Sequence, residues 1–290
     1  MALISAFPEL STGVVAGRAW RDSGVMQGVW RELAGLVLPV ACAGCGRPRT
    51  ELCAECRRVL ARDGRGARRV RPRPEPAGLP RVWAGVPYAD EARAVLLAHK
   101  ERGALRLAAP LGAVLAGAVR GLRPGAGALL LVPVPSARRA VAGRGHDPVR
   151  RIALAAAADL RRGTGNGVGE GAGARVLAVL RQRRTVADQA GLSARQRLAN
   201  VAGALVVRGG AERLLRGLPV VLVDDLVTTG ATLAEAARAV TAAGGRVTGA
   251  AVVAATDSAF PGAFAGGAIR RDSVGERGKR GRTADDYPGK

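Results

Sequence analysis

The sequence predicts an α/β fold in which helices flank a mostly parallel sheet, with a small four-cysteine module before it. Three observations support this prediction. Strand-like apolar runs alternate with helical patterns over residues 82–257. The most apolar runs, 128–134 and 219–224, are typical of strands that are buried on both faces. All four cysteines lie within residues 42–56, which indicates a metal-binding module rather than a disulfide framework.

The chain divides into five expected segments because its composition shifts along its length. The expected order is a weakly structured leader (1–36), a zinc-ribbon module (37–58), a basic Pro/Gly-rich linker (59–81), the α/β domain (82–257) and a disordered tail (258–290). A short helix is expected around Val25–Leu38.

Within the α/β domain, apolar periodicity and stop signals predict the helices and strands. The predicted helices are Glu91–Lys100, Leu105–Leu122 with a new start at Pro110, Pro148–Arg161 and Ala231–Ala243. The predicted strands are Ala128–Val134, Arg175–Leu180, Pro219–Asp224 and Arg246–Thr256. Residues 163–173 have a glycine at every second position and predict a flexible loop, whereas Ser193–Asn200 predicts a polar turn or a short helix.

The net charge is strongly positive, with 45 Lys and Arg against 23 Asp and Glu, or +22 at pH 7. Such a charge favours polyanionic ligands, including nucleic acid, nucleotides and pyrophosphate. A second interpretation stays open, in which arginines on solvated faces reflect a GC-rich coding sequence, because stacking aromatics make up only 3%. The sequence has no uncharged run of 18 apolar residues and no signal-peptide pattern, and so predicts a cytoplasmic protein without membrane insertion.

The strongest motif is the segment Val220–Thr232, VVLVDDLVTTGAT, in which an apolar strand delivers two acids to a threonine-rich turn. The acids can accept hydrogen bonds from vicinal ribose hydroxyls, and the N–H groups that begin the next helix favour a phosphate. An N-cap alone would need one such residue, whereas this segment has two acids and three threonines. The predicted ribose-phosphate site consists of Asp224, Asp225, Thr228, Thr229, Gly230, Ala231 and Thr232.

The four cysteines, Cys42, Cys45, Cys53 and Cys56, have the spacing C-x2-C-x7-C-x2-C. Two such pairs can place four thiolates tetrahedrally around one structural Zn²⁺. A redox pair or two disulfides would fit four clustered cysteines poorly in a cytoplasmic chain. The module is so short that metal binding must supply much of its folding energy.

The segment Val220–Thr232 resembles the signature of type I phosphoribosyltransferases that binds phosphoribosyl pyrophosphate (PRPP). The resemblance implies that Asp224 and Asp225 contact the 2′ and 3′ hydroxyls, that Thr228–Thr232 surround the 5′-phosphate, and that Mg²⁺ bridges pyrophosphate and ribose. Arg144 is a candidate pyrophosphate contact because a guanidinium grips phosphate oxygens in a fork, although a solvated arginine is an open alternative. The chain has no Walker A sequence, which disfavours a P-loop nucleotidase.

Together with the cysteine module, these motifs resemble the competence protein F (ComF) family. Lys100, the run from Val132 to Asp147, and the stretch Arg184, Gln189, Leu192, Arg197, Asn200 also match that family's pattern. The pattern fails at 146–148, where His-Asp-Pro replaces Phe-Asn-Gln.

The resemblance implies one of two functions. One is an enzyme that transfers phosphoribosyl to an unknown acceptor. The other is a non-enzymatic accessory protein of DNA uptake that binds nucleotide, single-stranded DNA and competence proteins. Whether the chain is an enzyme stays open here, because no segment that reads a base is recognisable and a fold does not fix a reaction.

Overall fold

A mostly parallel six-stranded sheet lies at the centre of the protein. The computed structural model describes residues 40–122, 127–162, 173–184 and 193–261. The strands of this sheet are β1 (Arg68–Val70), β2 (Val82–Pro87), β3 (Leu129–Pro133), β4 (Ala174–Val176), β7 (Pro219–Val227) and β8 (Arg246–Ala255). Two further strands, β5 (Leu180–Gln182) and β6 (Leu205–Val207), pair with each other antiparallel.

Helices cover the sheet. They are α1 (Ala54–Arg65), α2 (Asp90–Glu101), α3 (Ala108–Leu122), α4 (Arg138–Arg144), α5 (Pro148–Arg162), α6 (Ala194–Val201) and α7 (Ala231–Ala242). Three short 3-10 helices span Leu105–Leu107, Glu212–Leu215 and Asp257–Ala259. The α/β fold class predicted from the sequence is therefore confirmed.

The strand order is β1-β2-β8-β7-β3-β4, and every pair except β1–β2 is parallel. β7 therefore lies inside the sheet, between β8 and β3. Side chains pack on both of its faces, and Val220–Val223 are completely buried. Ligands of open parallel sheets bind beyond the carboxyl ends of the strands. The carboxyl end of β7 is consequently the central position on the edge of the sheet where a ligand would bind.

Several sequence-based boundaries need correction. β7 continues to Val227, so the two acids lie within the strand rather than at its end. The strand predicted over Arg175–Leu180 is broken into the ends of β4 and β5 by residues 177–179. The helix expected to restart at Pro110 begins at Ala108 instead, because proline is tolerated in a first helical turn. The short helix near Ser193 does form, with a capping box between Ser193 and Gln196.

The expected linker over residues 59–81 is wrong in its first half. α1 continues to Arg65, and Arg68–Val70 form an antiparallel edge strand of the main sheet. The tail boundary at Ser258 is also too early, because Ala259 and Phe260 are buried and the Ala259 carbonyl accepts a 2.7 Å hydrogen bond from the Arg71 N–H. The leader, the glycine-rich loop and residues 262–290 lie outside the described residues.

One helical stretch, Leu105–Leu122, is long and apolar enough to cross a membrane by length and composition. Within the described residues it behaves as a core helix: Leu111, Leu115 and Val119 are almost completely buried against the sheet and α5. Burial in the core accounts for the apolar composition of this helix, so the composition does not indicate membrane insertion.

Candidate functional site

The predicted ribose-phosphate residues lie on one continuous strand–loop–helix unit. β7 carries Asp224 and Asp225, the loop follows, and α7 begins at Ala231 directly after it. Gly230 has φ = 75°, a left-handed conformation that glycine adopts without strain. The first N–H groups of α7 have no acceptor within the helix, which makes this turn suited to a phosphate.

The two adjacent acids differ in their surroundings. The Asp225 N–H donates to Asp224 Oδ1 at 2.8 Å, and Lys100 Nζ donates to Asp225 Oδ2 at 2.9 Å. Burial, followed by the neighbouring Asp225 charge, raises the pKa of Asp224 well above its usual value. Burial disfavours the Lys100 ammonium, but the Asp225 carboxylate outweighs that cost and raises the pKa of Lys100. Asp225 therefore pairs directly with the Lys100 cation, whereas the Lys100 charge lowers the pKa of Asp224 without offsetting its burial.

Arg197, on α6, is a residue of this site that the sequence reasoning did not assign to it. Its Nη1 donates to Thr228 Oγ1 at 3.4 Å, so the guanidinium borders the threonine loop. Its Nε is buried and has no hydrogen-bond partner among the described residues. An unpaired buried donor is costly unless a ligand or water satisfies it. The stretch that resembles the ComF pattern contains Arg197, and this was the only available signal.

The segment 71–80 lies across the threonine loop. A Cβ built on Gly230 would lie 3.0 Å from Leu79 Cδ2 and 3.3 Å from Pro72 Cγ. Any larger side chain at position 230 would therefore push against this segment as well as strain the turn. The second half of the expected linker thus forms one wall beside the loop.

Arg144 is not free in this structure. It forms a two-pronged ion pair with Glu101, with Nη2–Oε1 at 2.8 Å and Nε–Oε2 at 3.2 Å. The pair lines a cavity of about 340 Å³ that also includes Lys100 and His146. Because Lys100 reaches Asp225 as well, this cavity lies next to the acid pair.

The two histidines are satisfied by backbone carbonyls. His99, which is fully buried, places its ring nitrogens 3.2 Å from the Ala104 oxygen and 3.4 Å from the Pro148 oxygen. His146 packs edge-on against it at 5.8 Å and contacts the carbonyls of Arg144 and His99. Burial lowers the pKa of His99. These contacts join α2 to the loop after α4, which is a structural arrangement.

The four cysteines form a second site. Their sulfur atoms all lie within 4.8 Å of one another, and Cys45 Sγ is 3.7 Å from Cys53 Sγ. A tetrahedral zinc with Zn–S bonds of about 2.3 Å separates its sulfurs by about 3.8 Å. A Cβ on Gly44 would lie 2.7 Å from Cys56 Sγ, so the turn needs glycine there. The cluster fits a metal ion such as zinc.

Backbone N–H groups surround the sulfurs, as expected for thiolate ligands. The Cys53 N–H donates to Cys42 Sγ at 3.3 Å, and the Cys56 N–H donates to Cys53 Sγ at 3.4 Å. Burial alone would raise the pKa of Cys42, but hydrogen bonds from the backbone N–H groups of Cys53, Cys45 and Gly44 outweigh it and lower the pKa to about 6. Burial and the other three sulfurs raise the pKa of Cys56 far above its usual value. Without a cation, the Cys56 thiol therefore stays protonated.

The cysteine module is not separate from the α/β domain. Cys56 and Leu60 belong to the same buried cluster as Val95 of α2 and Leu111 of α3. A module this small has too few residues for a core of its own. It uses the core of the α/β domain instead, and it packs against the helix that carries Lys100.

Comparison with known proteins supports the interpretation of the strand–loop–helix unit. A family model described as a phosphoribosyl transferase domain matches residues 173–259. The match runs from the start of β4 to the 3-10 helix after β8, and it contains both acids and the threonine loop. No curated protein matches the chain. Residues 173–259 therefore carry a phosphoribosyltransferase domain, within a larger sheet and beside a four-cysteine cluster.

Proposed function

We propose that this protein binds PRPP, or a related ribose 5-phosphate compound, together with Mg²⁺, and transfers its phosphoribosyl group to an acceptor. The observation that carries the proposal is the pair Asp224 and Asp225 directly before the Thr228–Thr232 loop, within the matched domain. The acids would accept the two ribose hydroxyls, and the loop would hold the 5′-phosphate. The protein would act in the cytoplasm.

Cationic side chains of the site complement a PRPP-like ligand. Arg197 borders the threonine loop and has one unsatisfied donor, so we assign it to the phosphate end. Lys100 and Arg144 line the cavity beside the acids, so we assign them to the pyrophosphate end. To bind pyrophosphate there, Arg144 must exchange the two Glu101 carboxylate oxygens for two oxygens of a phosphate group, which offer the same two-pronged geometry.

In the transfer, the bond between ribose C1 and the pyrophosphate oxygen breaks, and a bond between C1 and the acceptor forms. Pyrophosphate leaves with the electron pair, while positive charge develops on the sugar ring. Lys100 and Arg144 would stabilise the leaving group, and the acids would hold the sugar by its hydroxyls. Mg²⁺ is the ion expected beside these carboxylates, because it prefers oxygen ligands, and it would neutralise pyrophosphate charge.

A ligand panel tests this proposal. With Mg²⁺ at saturating concentration, PRPP is expected to raise the melting temperature, whereas ribose, which lacks both phosphate groups, is not. Arg197→Ala should weaken PRPP binding about 10-fold or more, because one charge-assisted hydrogen bond contributes about 1.5–3 kcal/mol. Arg195→Ala, an exposed arginine on the same helix, is the matched control and should bind normally. Stabilisation by ribose equal to that by PRPP would refute the assignment.

A second candidate function is binding of single-stranded DNA as an accessory protein of DNA uptake, alongside competence proteins. Three exposed arginines favour it. Arg69 lies on edge strand β1, and Arg71 and Arg73 follow directly after this strand in the sequence. An edge strand with basic side chains presents a linear positive surface. Lys and Arg on such a surface would displace counterions from a phosphate backbone.

Changing Arg69, Arg71 and Arg73 to Gln together is expected to weaken single-stranded DNA binding and its salt dependence. Three lost phosphate contacts should reduce the slope of log affinity against log salt by about 2. The control changes three exposed arginines elsewhere, Arg208, Arg213 and Arg216, to Gln and so removes the same net charge. A gel-shift titration at near-physiological salt measures both variants. An equal loss in both would show that total charge, not this strand, is responsible.

A further inference from the structure

An apolar groove lies between the cysteine module and helix α2. It has a volume of about 720 Å³, and its lining includes apolar residues from both sides, Val40, Ala43, Ala94, Leu97 and Ala98, as well as the charged residues Glu51 and Arg102. Val40 is 49% exposed and Leu97 is 38% exposed, and of the six exposed large apolar residues in the described part of the chain these two border the groove. Contiguous exposed apolar surface of this kind marks a place where another element packs.

The position of Val40 indicates which element that is. Val40 is the first described residue, and it lines the groove itself. The described part of the chain therefore begins at the groove. Pro39 directly precedes Val40, and proline disfavours helix at the residue before it. A helix that ended near Leu38 would turn at Pro39, immediately beside the groove.

The sequence before Pro39 has the spacing of an amphipathic helix with one apolar face. Its apolar residues recur at intervals of three and four: Met26, Val29, Trp30, Leu33, Leu36 and Val37. The opposite face would carry Gln27, Arg31 and Glu32 together with Gly28, Gly35 and Leu38. A helix of this kind is stable only when its apolar face is buried against something.

We propose that residues 26–38 form a helix whose apolar face packs into the groove between the cysteine module and α2. The segment is tethered one residue from the groove, so its effective concentration there is far above that of any separate partner. Its docking would cover Val40 and Leu97. It would also fasten the cysteine module to the helix that carries Lys100.

The test uses the full-length chain with Leu33→Asp in the segment and Leu97→Asp in the groove. Each charge would prevent docking, so each variant should lower the melting temperature by roughly 3 °C or more and increase binding of a hydrophobic dye. The double variant should melt no lower than the less stable single variant, because docking is lost only once. Leu154→Asp, an exposed leucine on α5 that is 49% accessible, is the matched control and should change neither measurement.

Leu97 is partly exposed, so its replacement should not prevent folding, and Leu97→Gln provides a milder second variant. No effect of Leu33→Asp would overturn the proposal, as would additive losses in the double variant. A dimer that dissociates on Leu97→Asp but persists in Leu33→Asp would show that a second copy fills the groove instead, and would equally overturn it. Sedimentation of all the variants distinguishes these outcomes. None of them depends on PRPP binding.

Discussion

The double variant Asp224→Asn/Asp225→Asn is expected to fold normally and to lose PRPP binding. Both acids lie on β7, close in sequence to the threonine loop that follows the strand. Asparagine keeps their size but removes the charged acceptors for the ribose hydroxyls and for Mg²⁺. Two hydrogen bonds to charged groups contribute at least about 3 kcal/mol together, so the dissociation constant should rise about 100-fold or more. Isothermal titration with PRPP and Mg²⁺ measures this change.

The single variants Asp224→Asn and Asp225→Asn should change the melting temperature in opposite directions. The pKa of Asp224 is raised in the folded protein, so its contribution to stability is present at low pH and lost as the pH rises through the folded pKa. At neutral pH, Asp224→Asn removes a half-buried acid that has no direct cationic partner, and it should raise the melting temperature. Asp225→Asn instead leaves the partly buried Lys100 without its partner and should lower it.

Asp224 would then lower the stability of the free protein and contribute to ligand binding, which is a known trade-off at functional sites. The control is Asp90→Asn, an exposed acid at the amino end of α2 and remote in sequence from Lys100 at the other end. Asp90→Asn should leave the PRPP affinity unchanged, and it should change the melting temperature much less than the Asp224 and Asp225 variants do. Unchanged PRPP affinity in a folded double variant would contradict the assignment of the acids.

The parts of the site that could be predicted from the sequence are those that are contiguous in the chain. Strand β7, the threonine loop and the start of α7 follow one another within residues 219–232, so local propensity and turn chemistry determine their arrangement. The apolar run of β3 also identifies a buried strand by itself. The cysteine cluster could be predicted for the same reason, because four ligands within 15 residues constrain their own geometry.

The parts that could not be predicted depend on contacts between distant segments. Lys100 and Asp225 are 125 residues apart in the chain, and Arg197 and Thr228 are 31 apart. In a chain with 45 basic residues, Lys100 and Arg197 stood out only by their match to the ComF pattern, which does not assign them a contact. Strand β1 was missed because its sequence, Arg-Arg-Val, has only one buried residue to indicate a strand. Its place in the sheet comes from pairing with β2.

Purified protein is expected to contain about one zinc per chain, as a single four-thiolate site requires, and Cys56→Ser is expected to lose it. The loss should extend beyond the module, because Cys56 and Leu60 lie in the same buried cluster as residues of α2 and α3. Without the metal, burial and the neighbouring sulfurs hold the pKa of Cys56 far above its usual value, so this thiol stays protonated, and we expect the packing against the helix that carries Lys100 to weaken. We therefore expect both a lower melting temperature and weaker PRPP binding.

Leu60→Ala is the matched control for Cys56→Ser, because it lies on the same helix in the same core but offers no metal ligand. Truncating a buried leucine costs about 2–5 kcal/mol, so this variant should also melt at a lower temperature. Unlike Cys56→Ser, however, it should keep its zinc. Elemental analysis therefore separates the loss of metal from the loss of packing. Folded, reduced wild-type protein without zinc would refute the metal site, and Cys56→Ser with a full complement of zinc would exclude Cys56 as a ligand.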